Sequence, residues 1–206
     1  SATFYPWIEI RDTQNSVNIF IPPTCEVVAS IAFTDNTKFP WYAPAGLQRG
    51  ATAANRARRK LSEDDCDTLY TSNINPMRTF SDVGVVVWGQ KTLQKRESAL
   101  DRINVRRLLL QMQKLISNVA IRLVFEQNDQ ATKDDFLAKV NPIFNNIMRE
   151  RGLFAFEIVM NDTNNTSETI DRKELYGEIK IKPTPSVEFI GIGFTITPTG
   201  ASFQSV

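Results

Sequence analysis

The sequence predicts a mixed α+β fold of the α/β class, a mixed β-sheet flanked by helices, ending in an extended C-terminal arm. Three observations predict it. Strand-like and helix-like segments are interspersed along the chain, two long stretches repeat apolar residues at intervals of three and four, and a proline and a glycine after Thr197 leave a short uncharged tail. With 206 residues the chain is long enough to bury about 70% of its unfolded surface without staples. Residues 1–197 are expected to form one core domain and residues 198–206 the arm. An apolar fraction of 42%, a charged fraction of 23% and 13 Phe exclude global disorder.

Phe4 to Arg11 and Val17 to Ile21 are rich in aromatic and β-branched residues and flank the turn-type cluster Asp12 to Ser16, which predicts a hairpin. Pro22-Pro23 stops the second strand. Thr24 then caps a helix in which Val27, Val28, Ile31 and Ala32 share one face. Residues 36–60 lose periodicity, and so long an irregular stretch within a domain is usually functional or mobile. Ser62 with Asp65 makes a capping-box start for a short helix to about Tyr70. Val83 to Trp88 reads as a strand buried on both faces.

The clearest helix is Asp101 to Phe125, with Val105, Leu108, Leu109, Met112, Leu115, Ile116, Val119 and Leu123 on one stripe, roughly 37 Å long. It is expected to be central, so that Leu109→Ala or Leu115→Ala costs about 2–5 kcal/mol where the site is buried. Thr132 with Asp135 starts a further helix that turns Phe136, Leu137, Val140, Phe144, Ile147 and Met148 inward, bends at Pro142 and stops at Gly152 as C′. Strands at Phe154 to Met160, Leu175 to Lys182 and Val187 to Thr197 complete the fold. In the last, Ile190, Ile192, Phe194 and Ile196 oppose a slim face of Gly191, Gly193 and Thr195.

Charge and residue types exclude several functions. With 24 Lys+Arg against 23 Asp+Glu, the net charge of +1 gives no long-range field for nucleic acid or an anionic membrane. The chain has no histidine, which removes Ser-His-Asp, Cys-His and His-zinc chemistry. Neither GxxxxGK[ST] nor GxGxxG occurs, so catalytic residues, metal and cofactor are all expected to be none. Cys25 and Cys66 lack CxxC spacing and read as inert thiols. No apolar run approaches a membrane span, and the start SATFYPWIEIRD has neither a basic nor an apolar leader region. Without an initiator Met, the start suggests a fragment of something longer.

Glu63, Asp64, Asp65 and Asp67 complement a helix dipole and face water. The strongest electrostatic signal is Arg49 with Arg56, Arg58, Arg59 and Lys60, a solvated loop or the site of an acidic protein partner. Lys133, Lys139 and Arg149 add surplus positive charge on the exposed face of the 132–151 helix, and both groups are candidates for contact with a partner or neighbouring copy. Asp162, Asn164, Asn165 and Asp171 read as an Asx-rich turn. Two readings from other classes stand beside a structural role: a carboxylate-dependent hydrolase using residues 63–67 or the Asp162/Asp171 loop, and an RNA-binding module using Arg49 to Lys60.

Local words carry more. FYPWIEIRD, IFIPP, DNTKFPWYAPAG, GVVVWGQKTL, DRINVRRLL, VFEQND, RERGLF, DTNNTSETID and IKPTPSVEFI resemble, in the same order, the C-terminal part of contractile phage tail sheath proteins, from about Tyr5 to the end. The resemblance implies a virion structural protein and no enzyme. It implies assembly in the host cytoplasm as stacked hexameric rings around a tail tube protein, between baseplate and tail terminator proteins, and contraction when triggered. This part would lie on the inner side, beside the tube, with neither nucleic acid nor membrane as partner. Sheaths of pyocins and type VI secretion are the related alternative. Extended arms add strands to neighbouring subunits, which here points to Gly200, Ala201, Ser202, Phe203, Gln204, Ser205 and Val206. Ala201, Phe203 and Ser205 alternate with Ser202, Gln204 and Val206, the pattern of a strand that needs another sheet edge.

Overall fold

Pro6 has no amide hydrogen to give to a ladder, and in the computed structural model of the chain it divides the first apolar stretch between two sheets. The structure describes residues 1–161 and 163–189. In order, the elements are β1 (Thr3–Tyr5), β2 (Ile8–Asp12), β3 (Val17–Ile21), α1 (Thr24–Thr37), β4 (Arg56–Ala57), α2 (Glu63–Thr71), β5 (Ile74–Phe80), β6 (Gly84–Val87), α3 (Ile103–Ala120), α4 (Gln130–Arg149), β7 (Leu153–Val159), α5 (Ser167–Asp171) and β8 (Glu178–Pro183). The mixed α+β class holds. Its strands form three small sheets, ordered β1-β5-β6, β3-β2-β4 and β7-β8, with β1 parallel to β5 and the other pairs antiparallel.

The predicted hairpin is β2 and β3, closed by Asp12, whose carboxylate accepts from Gln14 N at 2.9 Å and Asn15 Nδ2 at 2.7 Å. In α1 the cap is Pro23 and not Thr24, with no side-chain cap bond. Its buried stripe is Val27, Ser30 and Thr34, whereas Val28 and Ala32 face outward. The two hydroxyls can be buried because each donates one turn back, Ser30 Oγ to Glu26 O at 3.0 Å and Thr34 Oγ1 to Ser30 O at 2.7 Å. The capping box of α2 forms as expected, Asp65 N to Ser62 Oγ at 3.1 Å and Ser62 N to Asp65 Oδ2 at 3.0 Å.

Strand β6 is the expected buried strand, with Val85, Val86 and Val87 all sealed from solvent. Its partner β5 has no sequence signature, because Asn75, Pro76 and Arg78 break the alternation. The irregular stretch after α1 is tied to both neighbouring sheets: Gly46 N donates to Val87 O (2.9 Å), Val87 N to Gly50 O (2.7 Å), Thr52 N to Val85 O (3.1 Å) and Arg58 N to Trp7 O (2.7 Å). These bonds cover the edge of β6 and leave β4 paired to β2.

The expected helix from Asp101 to Phe125 is shorter. A turn of 3-10 helix at Ala99–Asp101 precedes α3, another at Ile121–Leu123 follows it, and Phe125 has a positive φ of 76°. Leu108 and Met112 are the fully buried members of its stripe; Leu109 and Leu115 are only half-buried and pack at the margin of the cluster. The 2–5 kcal/mol cost therefore attaches to Leu108.

Helix α4 is capped by Asp129, which accepts from Thr132 N at 2.9 Å, so Thr132 lies inside the first turn. The helix continues through Pro142. It ends in a Schellman motif: Gly152 N donates to Ile147 O at 2.8 Å, Arg151 N to Met148 O at 3.0 Å, and the left-handed residue at C′ is Arg151 (φ 62°) rather than Gly152. Gly152 is required for space. A Cβ there would stand 2.6 Å from Ile147 Cγ2 and 3.2 Å from Trp41 Cδ2.

Two apolar clusters result. One joins Ile8, Val27, Ala54, Met77, Val85 and Val87 between the first two sheets and α1. The other joins α3, α4 and the β7-β8 sheet through Leu108, Met112, Phe136, Val140, Phe144, Ile147 and Leu153. Trp41, from the irregular stretch, enters the second, with its Nε1 on Glu150 O at 2.9 Å. After β7, Asn165 is buried and pins the Asx-rich turn, donating to Tyr176 O at 2.8 Å and accepting from Tyr176 N at 2.7 Å. Asp171 ends the unforeseen helix α5, and Asp162 lies outside the described residues. Of the strand expected at Val187 to Thr197, residues 187–189 are irregular and the remainder lies outside the described residues.

Candidate functional site

The basic segment is mostly engaged within the chain. Arg56 pairs with the buried Glu9 of β2. Arg59 stands 3.7 Å from Asp65, and Arg49 donates to Ala43 O at 2.9 Å while lying over the Tyr42 ring. No aromatic is interleaved among residues 49–60, but the fold supplies one: Phe20 of β3 lies under both Arg56 and Arg58 at 5.7 Å. Arg56, Arg58, Arg59 and Lys60 all remain exposed.

On α4 the expectation for Lys133 is corrected. Lys133 is 4% exposed and belongs to the buried stripe with Phe136, Val140, Phe144 and Ile147. Spacing explains it, since 133 precedes Phe136 by three and Val140 by seven, on the helix face that meets the core. Lys139 and Arg149 are on the solvent side, Lys139 paired with Asp135 at 2.5 Å and Arg149 bonded to Asn146 Oδ1 at 2.6 Å. The arm residues Gly200 to Val206 lie outside the described residues. Glu63 faces Arg78 at 3.5 Å and Asp65 serves as the helix cap, where bonds from Ser62 hold its carboxyl below the usual range. These are local structural roles and not a paired catalytic site.

A polar cluster that sequence reading missed lies where residues 186–189 meet the end of α2, the segment after β6 and the start of α3. Arg102 binds Glu188 with two parallel bonds, Nε to Oε1 at 2.8 Å and Nη2 to Oε2 at 3.0 Å. Tyr70 Oη donates to Glu188 Oε2 at 2.7 Å and Gln90 Nε2 to Oε1 at 3.2 Å; Gln90 Nε2 also donates to Ser186 Oγ. Lys91 Nζ sits 4.1 Å from the Tyr70 ring centre and donates to Tyr70 O at 2.8 Å. Burial alone would raise the Glu188 carboxyl, but bonds from Arg102 and Tyr70 and the guanidinium charge outweigh it and hold the group below its ordinary range. Burial and the bond to Glu188 push the Tyr70 phenol up, so it stays a donor at neutral pH. A groove of about 320 Å³ runs beside the cluster, lined in part by Tyr70, Trp88, Val187 and Phe189.

A profile of the family described as phage tail sheath C-terminal domain matches residues 95–197, half of the chain. The chain belongs to this family. The tail sheath protein of Vibrio phage KVP40 is 37% identical over 95% of this chain and 29% of its own length, and that of Enterobacteria phage T4 is 32% identical over 95% and 30%. The chain thus spans less than a third of the relatives it matches. Among solved structures, the sheath complex of an extracellular contractile injection system (PVC) in its contracted state superposes with a TM-score of 0.85 at 26% identity, covering 94% of this chain and 55% of that one.

Tail sheath proteins are structural components of the virion and not enzymes. Within the sheath family domain lie Arg102 and Glu188, whereas Tyr70 and Gln90 precede it. The polar cluster therefore joins the family domain to α2 and to the segment after β6. The words GVVVWGQKTL, DRINVRRLL and IKPTPSVEFI contain Gln90, Arg102 and Glu188, which was the available signal. Nothing in their spacing says that they meet, because the contact closes over 86 residues between Arg102 and Glu188.

Proposed function

We propose that this chain is the tube-proximal part of a contractile tail sheath subunit, which polymerises as stacked six-membered rings around a tail tube and shortens to drive that tube through a host envelope. Baseplate and terminator proteins would bound the polymer, which assembles in the host cytoplasm. The observation that carries the reading is the family match over residues 95–197, supported by the likeness to a contracted sheath complex. That likeness equally favours the sheath of a related injection system, which differs in the particle and not in the mechanism. Contraction in such a lattice needs no nucleotide, since energy comes from interfaces that bury more surface in the second arrangement.

In this reading Gly200 to Val206 form an arm that adds a strand to a neighbouring copy, with Phe203 filling a pocket there. Deleting residues 200–206 from the full-length protein should leave the melting temperature of the subunit within a few degrees and abolish the hollow tubes seen in negative-stain microscopy. Normal tubes from the truncated protein would refute the arm. Contact with the tube or a neighbour falls to the exposed cations Arg56, Arg58, Arg59, Lys60, Lys139 and Arg149, of which Arg56 and Arg59 are also paired within the chain, with the half-buried Arg49 as a support and Lys133 removed from the set. Charge reversal at Arg58, Lys60, Lys139 or Arg149 should slow assembly and make it more salt-sensitive. Unchanged assembly kinetics for all four would show these charges to be merely solvated.

A further inference from the structure

Beyond β8 the described chain is held in an unusual way. Thr184 N still bonds Gly152 O at 3.2 Å, but among the described residues the backbone of 185–189 makes no further hydrogen bond to other backbone. Held instead by side chains, the segment turns Ser186 and Glu188 inward and Val187 and Phe189 outward, the last two 77% and 79% exposed. The inward residues meet groups from three separate places: Tyr70 at the end of α2, Gln90 after β6, and Arg102 at the cap of α3. Arg102 is itself braced by Asp101 at 3.0 Å.

We propose that the Tyr70–Gln90–Arg102–Glu188 cluster is a root anchor that fixes where the C-terminal segment leaves the subunit, with Glu188 as its positioning residue. The inference rests on the reading of residues 200–206 as an exchanged arm. A bidentate guanidinium–carboxylate pair constrains direction as well as distance, because both oxygens are held in the guanidinium plane. Tension along an arm that links two subunits then passes into α3 through Arg102 and into the first sheet through Gln90, by a short side-chain path. A segment tied only by solvated backbone would transmit the same pull by peeling from the surface.

Glu188→Gln keeps the side chain's shape and removes its charge, and Tyr70→Phe removes one bond and leaves the ion pair. In the full-length protein, chymotryptic cleavage at Phe189 should rise at least tenfold in Glu188→Gln and less in Tyr70→Phe, while the melting temperature of the subunit moves by no more than a few degrees. Tube yield by negative-stain microscopy should fall in the same order. Cleavage and tubes both unchanged in Glu188→Gln would overturn the anchor. Faster cleavage with normal tubes would overturn its role in assembly. A wild type that forms no tubes would fail the sheath reading instead, and the cleavage comparison would still decide whether Glu188 roots the segment.

Discussion

Phe144→Ala is expected to lower the unfolding free energy by about 3–5 kcal/mol, the largest loss from any single truncation in the helical layer. Phe144 is wholly buried in the C-terminal half of α4. Its ring meets Phe156 of β7 with centroids 5.1 Å apart, and it shares a cluster with Leu108, Met112, Val140 and Ile147. Two losses add: the transfer free energy of the ring, and the cavity that α3 and β7 cannot close without moving. At about 2–4 °C per kcal/mol for a chain of this size, the melting temperature should fall by roughly 10 °C. Urea unfolding gives the free energy directly. Leu110→Ala, on the exposed face of α3 at 64% exposure, should stay within about 0.5 kcal/mol. A Phe144 loss below about 1 kcal/mol would mean that the α3–α4 seam is not the core it resembles.

Asn75→Ala should cost about 2–5 kcal/mol by a different route. Asn75 is 0% exposed within β5, donates from Nδ2 to Thr3 O at 3.1 Å and Lys91 O at 2.8 Å, and accepts from Lys91 N at 2.7 Å. Truncation leaves two carbonyls and one amide of the surrounding backbone without this partner, and an unmade buried bond costs more than a made one contributes. Asn75→Asp separates the parts, since it keeps the acceptor for Lys91 N and loses both donors. The site is sterically closed as well. A Cβ on Gly89 would lie 2.7 Å from Asn75 Oδ1, so Gly89→Ala should destabilise in the same direction. If Asn75→Ala unfolds at the same urea concentration as wild type, the turn at Gly89 to Lys91 finds other partners and Asn75 is not its organiser.

Both residues show where sequence reading reaches and where it stops. Phe144 was legible, because helical burial repeats at three and four and the residue falls on that stripe. Lys133 lies on the same stripe, yet its charge argued for solvent; periodicity was the better guide. Asn75 carried no signal at all. An asparagine beside a proline reads as a turn, and only the meeting of Thr3, Asn75 and Lys91 makes it a buried strand residue.

The mixed α+β class, the β2-β3 hairpin, the buried β6, the capping box of α2 and the two amphipathic helices were all legible without coordinates, because each depends on residues close together in the chain. Ordered words along the chain also determined the tail sheath family, since nine short matches in one order need no coordinates. Tertiary structure alone decided the rest. It parted the first strand at Pro6 between two sheets, placed Phe20 beneath Arg56 and Arg58, and brought Tyr70, Gln90, Arg102 and Glu188 to one point. Those contacts join residues far apart in the chain. Their partners are chosen by how the sheets and helices pack, and no local pattern of charge or hydrophobicity encodes that choice.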